Sequence, residues 1–321
     1  MLPRRDFLLG AIAVGALTSV RNGLGQEKQV ATRVNLDVPA RACDCHTHIF
    51  GDPQDFPFSS ARTYTPETAL PDEMAAFHKR LSIRRVVIVT PSVYGTDNAT
   101  TLFGIKSRGA DARGIAVIDE NTPESELDSM GRAGVCGIRL NLATAGVNDA
   151  DVAVQRLKAA AARMHGRKWH IQIYTNTPLI VPLKDVVSEL RVPAVFDHFG
   201  GAQAAEGLQQ SGFAELLALV GSGKAYVKIS GAYRASKLAP DYADVAPLAK
   251  ALIAANPNRV IWGSDWPHPN AVTPPGQKPT DVTPLLAIDD ARLLNELAIW
   301  APDPAIRQKI LVDNPARLYA F

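Results

Sequence analysis

The chain has 321 residues, of which 46% are hydrophobic and 21% charged, and its formal net charge is +2. This length fits one α/β barrel, and the composition is that of a globular protein. Lysine and arginine cluster only as short pairs, which excludes nucleic acid as a partner, because a phosphate backbone requires a basic stripe.

The first 26 residues are predicted to be an export signal rather than part of the fold. Arg4 and Arg5 form a pair that is followed at the right distance by Phe7 and Leu8, and residues 8–20 carry no charge. Such a run is too short for a stable membrane span but suits a signal peptide. It resembles a twin-arginine (Tat) signal, so we expect a periplasmic protein with a linker at 27–40. The alternative is an N-terminal helix of the fold.

Beyond residue 40, short apolar runs alternate with amphipathic ones. The apolar, β-branched runs are predicted to be strands at residues 41–48, 85–90, 114–119, 137–142, 169–174, 194–198, 225–230 and 260–265. Helices are predicted at 71–81, 124–132, 149–165, 183–189, 213–220, 242–255, 289–300 and 304–312. This alternation predicts a single-domain α/β fold, a (β/α)8 TIM barrel over residues 41–321. An open doubly wound sheet is the alternative, but no glycine fingerprint for a dinucleotide follows the first strand.

The first predicted strand carries a His-x-His pair. Because alternate residues of a strand share a face, we expect Asp44, His46 and His48 on one face, with Thr47 and the two cysteines on the other. The chain's three cysteines have neither zinc-ribbon nor CxxC spacing, so we expect them to be buried thiols.

Polar residues close most of the predicted strands. Active sites of TIM barrels lie at the C-terminal ends of the strands. There the sequence places His46 and His48 on strand 1, His198 on strand 6 and Asp265 on strand 8. Other polar residues at these ends are Arg139 and Asn141 on strand 4, Gln172 and Tyr174 on strand 5, and Ser230 on strand 7. Three of the seven histidines and an aspartate in one ring predict a catalytic site.

Four motifs together resemble the amidohydrolase superfamily. They are Asp44-Cys-His-Thr-His48, Phe196-Asp-His-Phe-Gly-Gly201, Trp262-Gly-Ser-Asp-Trp-Pro-His268 and Asn314-Pro-Ala-Arg-Leu-Tyr319. More narrowly, they are similar to the branch that contains 2-pyrone-4,6-dicarboxylate lactonase and galactarolactone isomerase, over about residues 40–321. The resemblance implies a TIM barrel that acts on lactones or related ring-cleavage products. It also implies that Asp265 is the acid/base and that Arg139 and Arg234 grip substrate carboxylates.

One departure from the family pattern concerns metal. Metal-dependent members usually carry a histidine at the end of strand 5 and often a lysine or carboxylate at strand 4. Here strand 5 ends near Gln172, His170 lies at its beginning, and strand 4 offers Arg139. An amide is a poor zinc ligand and a guanidinium cannot ligate. The lactonase branch works without metal, so we expect no cofactor. The alternative is a single divalent metal, such as zinc, on His46, His48, His198 and Asp265.

The sequence therefore predicts a hydrolase that opens a carboxylated lactone, or an isomerase of such lactones that works by reversible ring opening. Asp265 would be the general base, and the three strand-end histidines would donate hydrogen bonds to the developing oxyanion. The substrate-binding candidates are Arg139, Arg234, Gln172 and Tyr174. For Arg139 the alternative is a structural pair with Asp119 or Asp197, and for Gln172 and Tyr174 it is filling of the barrel.

Two other functions stay open from the sequence. One is a metal-dependent decarboxylase or hydratase of the same superfamily, and the other is a non-catalytic periplasmic binder. Binding an anion gains nothing from a nearby carboxylate, so Asp265 favours an enzyme. We expect a small anionic lactone or ring-cleavage acid as the partner, and no membrane span.

The resemblance implies a further carboxylate-binding arginine six residues after the strand-4 arginine. This chain has Ala145 there, so we expect a substrate with fewer or differently placed carboxylates.

Overall fold

The computed structural model describes residues 32–321, and eight parallel strands form the main sheet of that part of the chain. Each strand pairs with the next, and their bounds are β1 Cys43–Thr47, β2 Arg85–Val89, β3 Ala112–Ala116, β4 Val135–Asn141, β5 His170–Tyr174, β6 Ala194–Phe196, β7 Ala225–Ser230 and β8 Val260–Gly263. The sheet closes because the N–H of Asp265 donates to the carbonyl of His46 and the N–H of His48 donates to that of Trp266, both at 2.8 Å. The prediction of a (β/α)8 barrel is confirmed.

Helices surround the barrel and complete the chain. Their bounds are α1 Pro71–Arg80, α2 Ala99–Arg108, α3 Glu124–Arg132, α4 Ala150–Arg163, α5 Ile180–Glu189, α6 Phe213–Gly221, α7 Ala232–Ala235, α8 Ala246–Ala255, α9 Asp290–Trp300, α10 Pro304–Gln308 and α11 Asn314–Tyr319. The sequence did not predict α2, whose threonines and central Gly104 are poor helix formers. Packing explains the glycine, because a Cβ on Gly104 would lie 2.7 Å from Ile88 and 2.9 Å from Ile49.

Alternation along the strands produces two apolar layers. Val86 and Ile88 of β2 belong to the layer between sheet and helices, whereas Val87 and Val89 belong to a separate cluster inside the barrel. We call this inner cluster the apolar plug; its buried members are Cys43, Cys45, Val87, Val89, Ile115, Val195, Tyr226, Ile261 and Tyr319. Both cysteines of β1 are buried free thiols, as expected, and Cys136 is half-buried.

The β1 strand departs from simple alternation. Its register against β2 shifts between Asp44 and Thr47. Asp44 therefore does not share a face with the two histidines: its carboxylate accepts hydrogen bonds from Ser264 and from Nε2 of His78 in α1, at 3.2 Å for the latter. The expectation is wrong for Asp44, and it is also wrong for Cys43 and Cys45, which lie inside the barrel as the two histidines do, because the irregularity turns the strand between Asp44 and Thr47.

The predicted export signal and linker precede the barrel in the chain. The predicted export signal at 1–26 lies outside the described residues. Within the predicted linker, Val34, Leu36 and Val38 pack against the core, and the unit that contains the barrel begins at Arg33. These residues are thus part of the domain, because the burial of their apolar side chains holds them there. No described helix has the length and apolar character that a membrane crossing requires.

Candidate active site

The predicted catalytic residues meet at the C-terminal mouth of the barrel. Nε2 of His48 lies 3.4 Å from Oδ1 of Asp265, and Nε2 of His46 lies 3.7 Å from the same oxygen. Nε2 of His198 lies 4.0 Å from the other carboxylate oxygen, Oδ2. The imidazoles of His46 and His198 are 4.5 Å apart between ring centroids. The structure therefore brings together the four residues that the strand-end pattern selected.

Three of these residues follow a strand rather than lie in it, and the first is His48, one residue past the end of β1 at Thr47. β6 ends at Phe196 and β8 at Gly263, so His198 and Asp265 follow the strands instead of closing them. Both have positive φ, 47° for His198 and 67° for Asp265, in the left-handed region that non-glycine residues seldom adopt. Such backbone costs about 1–3 kcal/mol and tends to persist at functional sites. Here it directs both side chains toward His46 and His48.

Asp265 has one oxygen engaged and one free. Its Oδ2 accepts hydrogen bonds from the hydroxyl of Tyr233, at 2.6 Å, and from Nε of Arg234, both in α7 directly after β7. Its buried Oδ1 has no hydrogen-bond partner. Burial by itself raises the pKa of Asp265, but the Arg234 guanidinium and the neighbouring histidines hold it well below the usual value. The result is an ionised carboxylate with a free oxygen among three imidazoles.

The hydrogen bonds of the imidazoles decide what each ring can offer. Nδ1 of His48 lies 2.8 Å from the carbonyl oxygen of Val89, which can only accept, so this nitrogen carries a proton. A neutral His48 therefore presents a lone pair at Nε2, and its predicted hydrogen bond to a substrate oxygen requires the doubly protonated ring. Nδ1 of His198 lies 3.0 Å from Oγ of Ser230 and 3.3 Å from the carbonyl oxygen of the same residue, which can only accept. Burial lowers the pKa of His198 to about 4, so its ring is neutral near pH 7.

A layer of paired charges lies under the histidines. Oδ2 of Asp197 accepts hydrogen bonds from Nε of Arg139 at 3.2 Å and from Nε2 of Gln172 at 2.9 Å. Lys228 of β7 donates to Oε1 of Gln172 at 2.6 Å and lies 3.3 Å from Oδ1 of Asp197. Burial alone raises the pKa of Asp197, yet the Lys228 ammonium and His46 hold it well below its usual range. The pair of Arg139 with Asp197 is therefore present, and the predicted contact of Arg139 with substrate stays a prediction.

Lys228 and Tyr233 are functional candidates that the strand-end criterion missed. Lys228 lies two residues before the end of β7, and Tyr233 lies beyond that strand. The sequence did contain a signal for Lys228, because this residue is the only charged one in the strand Ala225–Ser230, which is buried throughout. Burial of an unpaired ammonium is expensive, so such a residue requires partners inside the barrel.

A cavity of about 290 Å³ opens above the ring of histidines. Its wall includes Arg139, Arg234 and Tyr174 together with His48 and His198. The Arg139 guanidinium lies over the Tyr174 ring, 5.1 Å from its centroid, and its Nε donates to Asp197. Three of the four predicted substrate-binding residues therefore line this space.

Gln172 is the exception among the predicted substrate-binding residues. Its side chain is fully buried, and both ends of its amide are paired, one with Lys228 and the other with Asp197. It is absent from the cavity wall. Its predicted contact with substrate has no support in this geometry, because an amide with both ends engaged has no group to offer. The alternative, in which Gln172 fills the barrel, agrees with its position.

Two groups of described residues have the spacing of a metal site. They are His46, His48 and Asp265, and His46, Asp197 and His198, each with ligand atoms within 4.8 Å of one another. The distances allow a divalent cation. The Lys228 ammonium opposes it, because Nζ lies 3.3 Å from Oδ1 of Asp197 and 3.2 Å from Nδ1 of His46. As they are paired here, these residues fit a cation by distance but not by charge.

Known proteins are similar to this chain over most of its length. The model of a family described as amidohydrolase matches residues 43–321. A 4-sulfomuconolactone hydrolase of Rhizobium radiobacter is 34% identical, covering 89% of this chain and 92% of that protein. A 2-pyrone-4,6-dicarboxylate hydrolase of Comamonas testosteroni is 33% identical, covering 90% and 93%. A D-galactarolactone isomerase of Agrobacterium fabrum is 29% identical, covering 91% and 95%. These relatives are two lactone hydrolases and a lactone isomerase.

Proposed function

This chain belongs to the amidohydrolase family, and from that premise we propose that it hydrolyses a small carboxylated lactone or isomerises such lactones through reversible ring opening. One observation carries the proposal. The unpartnered Oδ1 of Asp265 lies among imidazoles, and two of these, His48 and His198, line a cavity whose wall also presents two guanidinium groups. A base, hydrogen-bonding groups for an oxyanion and a site for a carboxylate thus meet in one space.

Asp265 is the proposed general base. A water molecule held between its Oδ1 and the lone pair of Nε2 of His48, which are 3.4 Å apart, can donate one hydrogen to each. Transfer of the first proton to Asp265 produces the nucleophile that attacks the lactone carbonyl. The same carboxyl group returns the proton to the leaving ring oxygen. For His48 this role replaces the predicted donation to the oxyanion.

His46 is the proposed oxyanion donor. Nδ1 of His198 lies 3.3 Å from the carbonyl oxygen of Ser230, which can only accept, so a neutral His198 that donates there has a lone pair at Nε2 and does not share this role. Burial, together with the Lys228 ammonium, lowers the pKa of His46 well below its usual value, so the ring is neutral. Its Nε2 is buried and has no partner. A neutral imidazole protonated at Nε2 can donate to a carbonyl oxygen, and this bond strengthens as the oxygen becomes anionic.

The guanidinium groups orient the substrate. Arg139 uses Nε for Asp197, so its two terminal nitrogens can form a bidentate pair with a carboxylate. Arg234 uses Nε for Asp265, which couples carboxylate binding to the catalytic base. The cavity between these groups is small, so we propose a compact, single-ring substrate.

We further propose that the reaction needs no metal. Support comes from the cationic Lys228 and Arg139 beside the candidate ligands, since these cations supply the positive charge in this layer. The test is a panel of sugar-acid and muconate lactones, assayed with purified protein before and after treatment with a chelator. We expect lactonase activity that survives chelation, with substoichiometric zinc by elemental analysis. Stoichiometric zinc, with activity that returns only when zinc is added back, would favour the metal-dependent decarboxylase or hydratase.

We propose export to the periplasm through the twin-arginine segment at residues 1–26. Support comes from the Arg4-Arg5 pair and the uncharged run that follows it. Replacing both, Arg4→Lys with Arg5→Lys, retains the charge but removes the recognised pair, so the protein should accumulate in the cytoplasm. Fractionation of cells that express each form measures this. A double variant that still reaches the periplasm would exclude the twin-arginine route.

A further inference from the structure

Lys228 is a fully buried lysine under the catalytic histidines. An ammonium group has three N–H donors and no acceptor. Three atoms surround it: Oε1 of Gln172 at 2.6 Å, Nδ1 of His46 at 3.2 Å and Oδ1 of Asp197 at 3.3 Å. Oε1 of Gln172 and Nδ1 of His46 accept hydrogen bonds from Lys228, and Oδ1 of Asp197 forms an ion pair with it. The position of Lys228 is therefore fully specified by its partners.

The contacts of Nδ1 of His46 distinguish between its two tautomers. This nitrogen lies 3.2 Å from Nζ of Lys228 and 3.2 Å from Oδ1 of Asp197. Only the lysine contact has the direction of a hydrogen bond, since Oδ1 of Asp197 accepts none. Because an ammonium can only donate, Nδ1 must hold the lone pair, and the proton of the neutral ring lies on Nε2.

The position of this proton has two consequences. With hydrogen on Nε2, which is buried and has no partner in the free protein, His46 can donate to a substrate oxygen that reaches the histidines. The same hydrogen removes the lone pair that a metal would need, although His48 and Asp265 still present a free lone pair each. The ring thus serves either as a donor or as a ligand, and its partner at Nδ1 decides which.

Asp197 is already placed for the other state. If Nδ1 of His46 carried the proton, Oδ1 of Asp197 at 3.2 Å would be its natural acceptor. A carboxylate that accepts from one imidazole nitrogen while the other binds metal is the usual arrangement of histidine ligands. His46, His48 and Asp265 could therefore serve as three ligands of a metal, with Asp197 as the acceptor for Nδ1 of His46. The hydrogen bond that Lys228 donates to His46 is what opposes this arrangement.

We propose that Lys228 is a positioning residue that fixes His46 as the Nε2–H tautomer, so that this ring donates to the substrate oxygen, and that it thereby prevents His46, His48 and Asp265 from binding a divalent cation. The catalytic half of this inference rests on the proposed lactonase function. The metal half does not, because it concerns only the atoms of the free protein.

The first test is nitrogen NMR of the wild-type protein with 15N-labelled histidine, assigned by comparison with His46→Gln. We expect the His46 signals to show a protonated Nε2 and an unprotonated Nδ1 near pH 7. A ring protonated at Nδ1 overturns the proposal, whatever any variant does. This measurement needs neither activity nor a substrate.

The second test replaces the donor by Lys228→Met, which keeps a long unbranched side chain, with folding verified by circular dichroism and a thermal melt. We expect the proton of His46 to move to Nδ1 and one zinc ion to bind at least about tenfold more tightly than in wild type, by calorimetry with zinc chloride. Gln172→Met is the matched control, because it removes another partner of Lys228 but leaves the contact with His46. It should show neither change, and adding His46→Gln to the lysine variant should abolish zinc binding.

Kinetics separate this inference from the proposed function. With a lactone substrate, Lys228→Met in metal-free buffer should lose about 10²-fold in kcat with little change in KM, because the lost donor acts mainly in the transition state. Lys228→Arg, which retains a donor, should recover part of the loss.

A folded Lys228→Met protein with wild-type zinc affinity overturns the inference even where lactonase activity is found. If no lactone is turned over, the NMR and zinc results still decide it.

Discussion

The two ends of the barrel interior use the same strands for opposite purposes. Below lies the apolar plug, a buried cluster that combines Tyr319 of α11 with side chains from six strands. Above it the strands carry Arg139, Asp197 and Lys228, all buried. Beside the plug, burial lowers the pKa of His170 to about 3, so this imidazole is neutral, whereas the upper layer holds full charges in pairs. Buried ion pairs contribute little to stability. We therefore expect the plug to stabilise the fold and the charged layer above it to serve the chemistry.

The largest expected effect tests the upper layer. Asp265→Asn should lower kcat by about 10²–10⁴-fold, because an amide of almost the same shape cannot accept the proton from water. The fold should persist, since the amide oxygen can still accept hydrogen bonds from Tyr233 and Arg234. Steady-state kinetics on the best lactone, with circular dichroism alongside, measures this. Activity within a few-fold of wild type would remove Asp265 from the mechanism.

The second prediction tests the plug. Ile261 is fully buried there, so Ile261→Ala should lower the free energy of unfolding by about 2–5 kcal/mol through lost apolar contacts and a cavity. Its kcat should stay within a few-fold of wild type wherever the protein is folded. Urea unfolding gives the first quantity and kinetics the second. Ile299→Ala is the control, because that side chain is 50% exposed and should change stability by less than about 0.5 kcal/mol. A loss of kcat as large as that of Asp265→Asn would contradict the separation.

The plug and the strand order were predictable from the sequence, because both follow from periodic apolar runs. The mouth was predictable in part. His46, His48, His198 and Asp265 were selected by their place at strand ends, and the rule works because every parallel strand ends at the same rim. The rule fails for side chains that point inward below the rim. Gln172 looked like a substrate ligand for this reason, and Lys228 was missed.

Other errors came from packing that local sequence does not encode. The irregularity that separates Asp44 from the histidines depends on hydrogen bonds to His78 and Ser264, which are distant in sequence. α2 forms despite weak helix propensity, because Gly104 allows close approach to β2. The tautomers of the histidines depend on neighbours from other strands. Such features require the assembled barrel.

A smaller effect is expected at the wall of the cavity. Arg139→Gln should reduce kcat/KM for a carboxylated lactone by about 10- to 150-fold, which corresponds to roughly 1.5–3 kcal/mol for a lost charge-assisted pair. A neutral lactone with the same ring is the control substrate, and its kcat/KM should change far less. Equal losses on both substrates would mean that Arg139 acts through Asp197 rather than on a carboxylate.

The smallest expected effect concerns specificity at the turn after β4. The resemblance implied an arginine where this chain has Ala145, and that residue is exposed, next to Thr144 in the cavity wall. Ala145→Arg should therefore raise kcat/KM for a dicarboxylated lactone relative to a monocarboxylated one. Because an exposed ion pair contributes up to about 1 kcal/mol, the gain should be about fivefold at most.

Ala145→Gln, which is similar in length but uncharged, controls for bulk and should leave the ratio unchanged. Added salt should reduce the gain, because it screens an exposed pair. If the wild-type enzyme already prefers the dicarboxylate, and the new guanidinium adds nothing, then the second carboxylate is bound elsewhere in the wall, and Arg234 is the cation left to bind it.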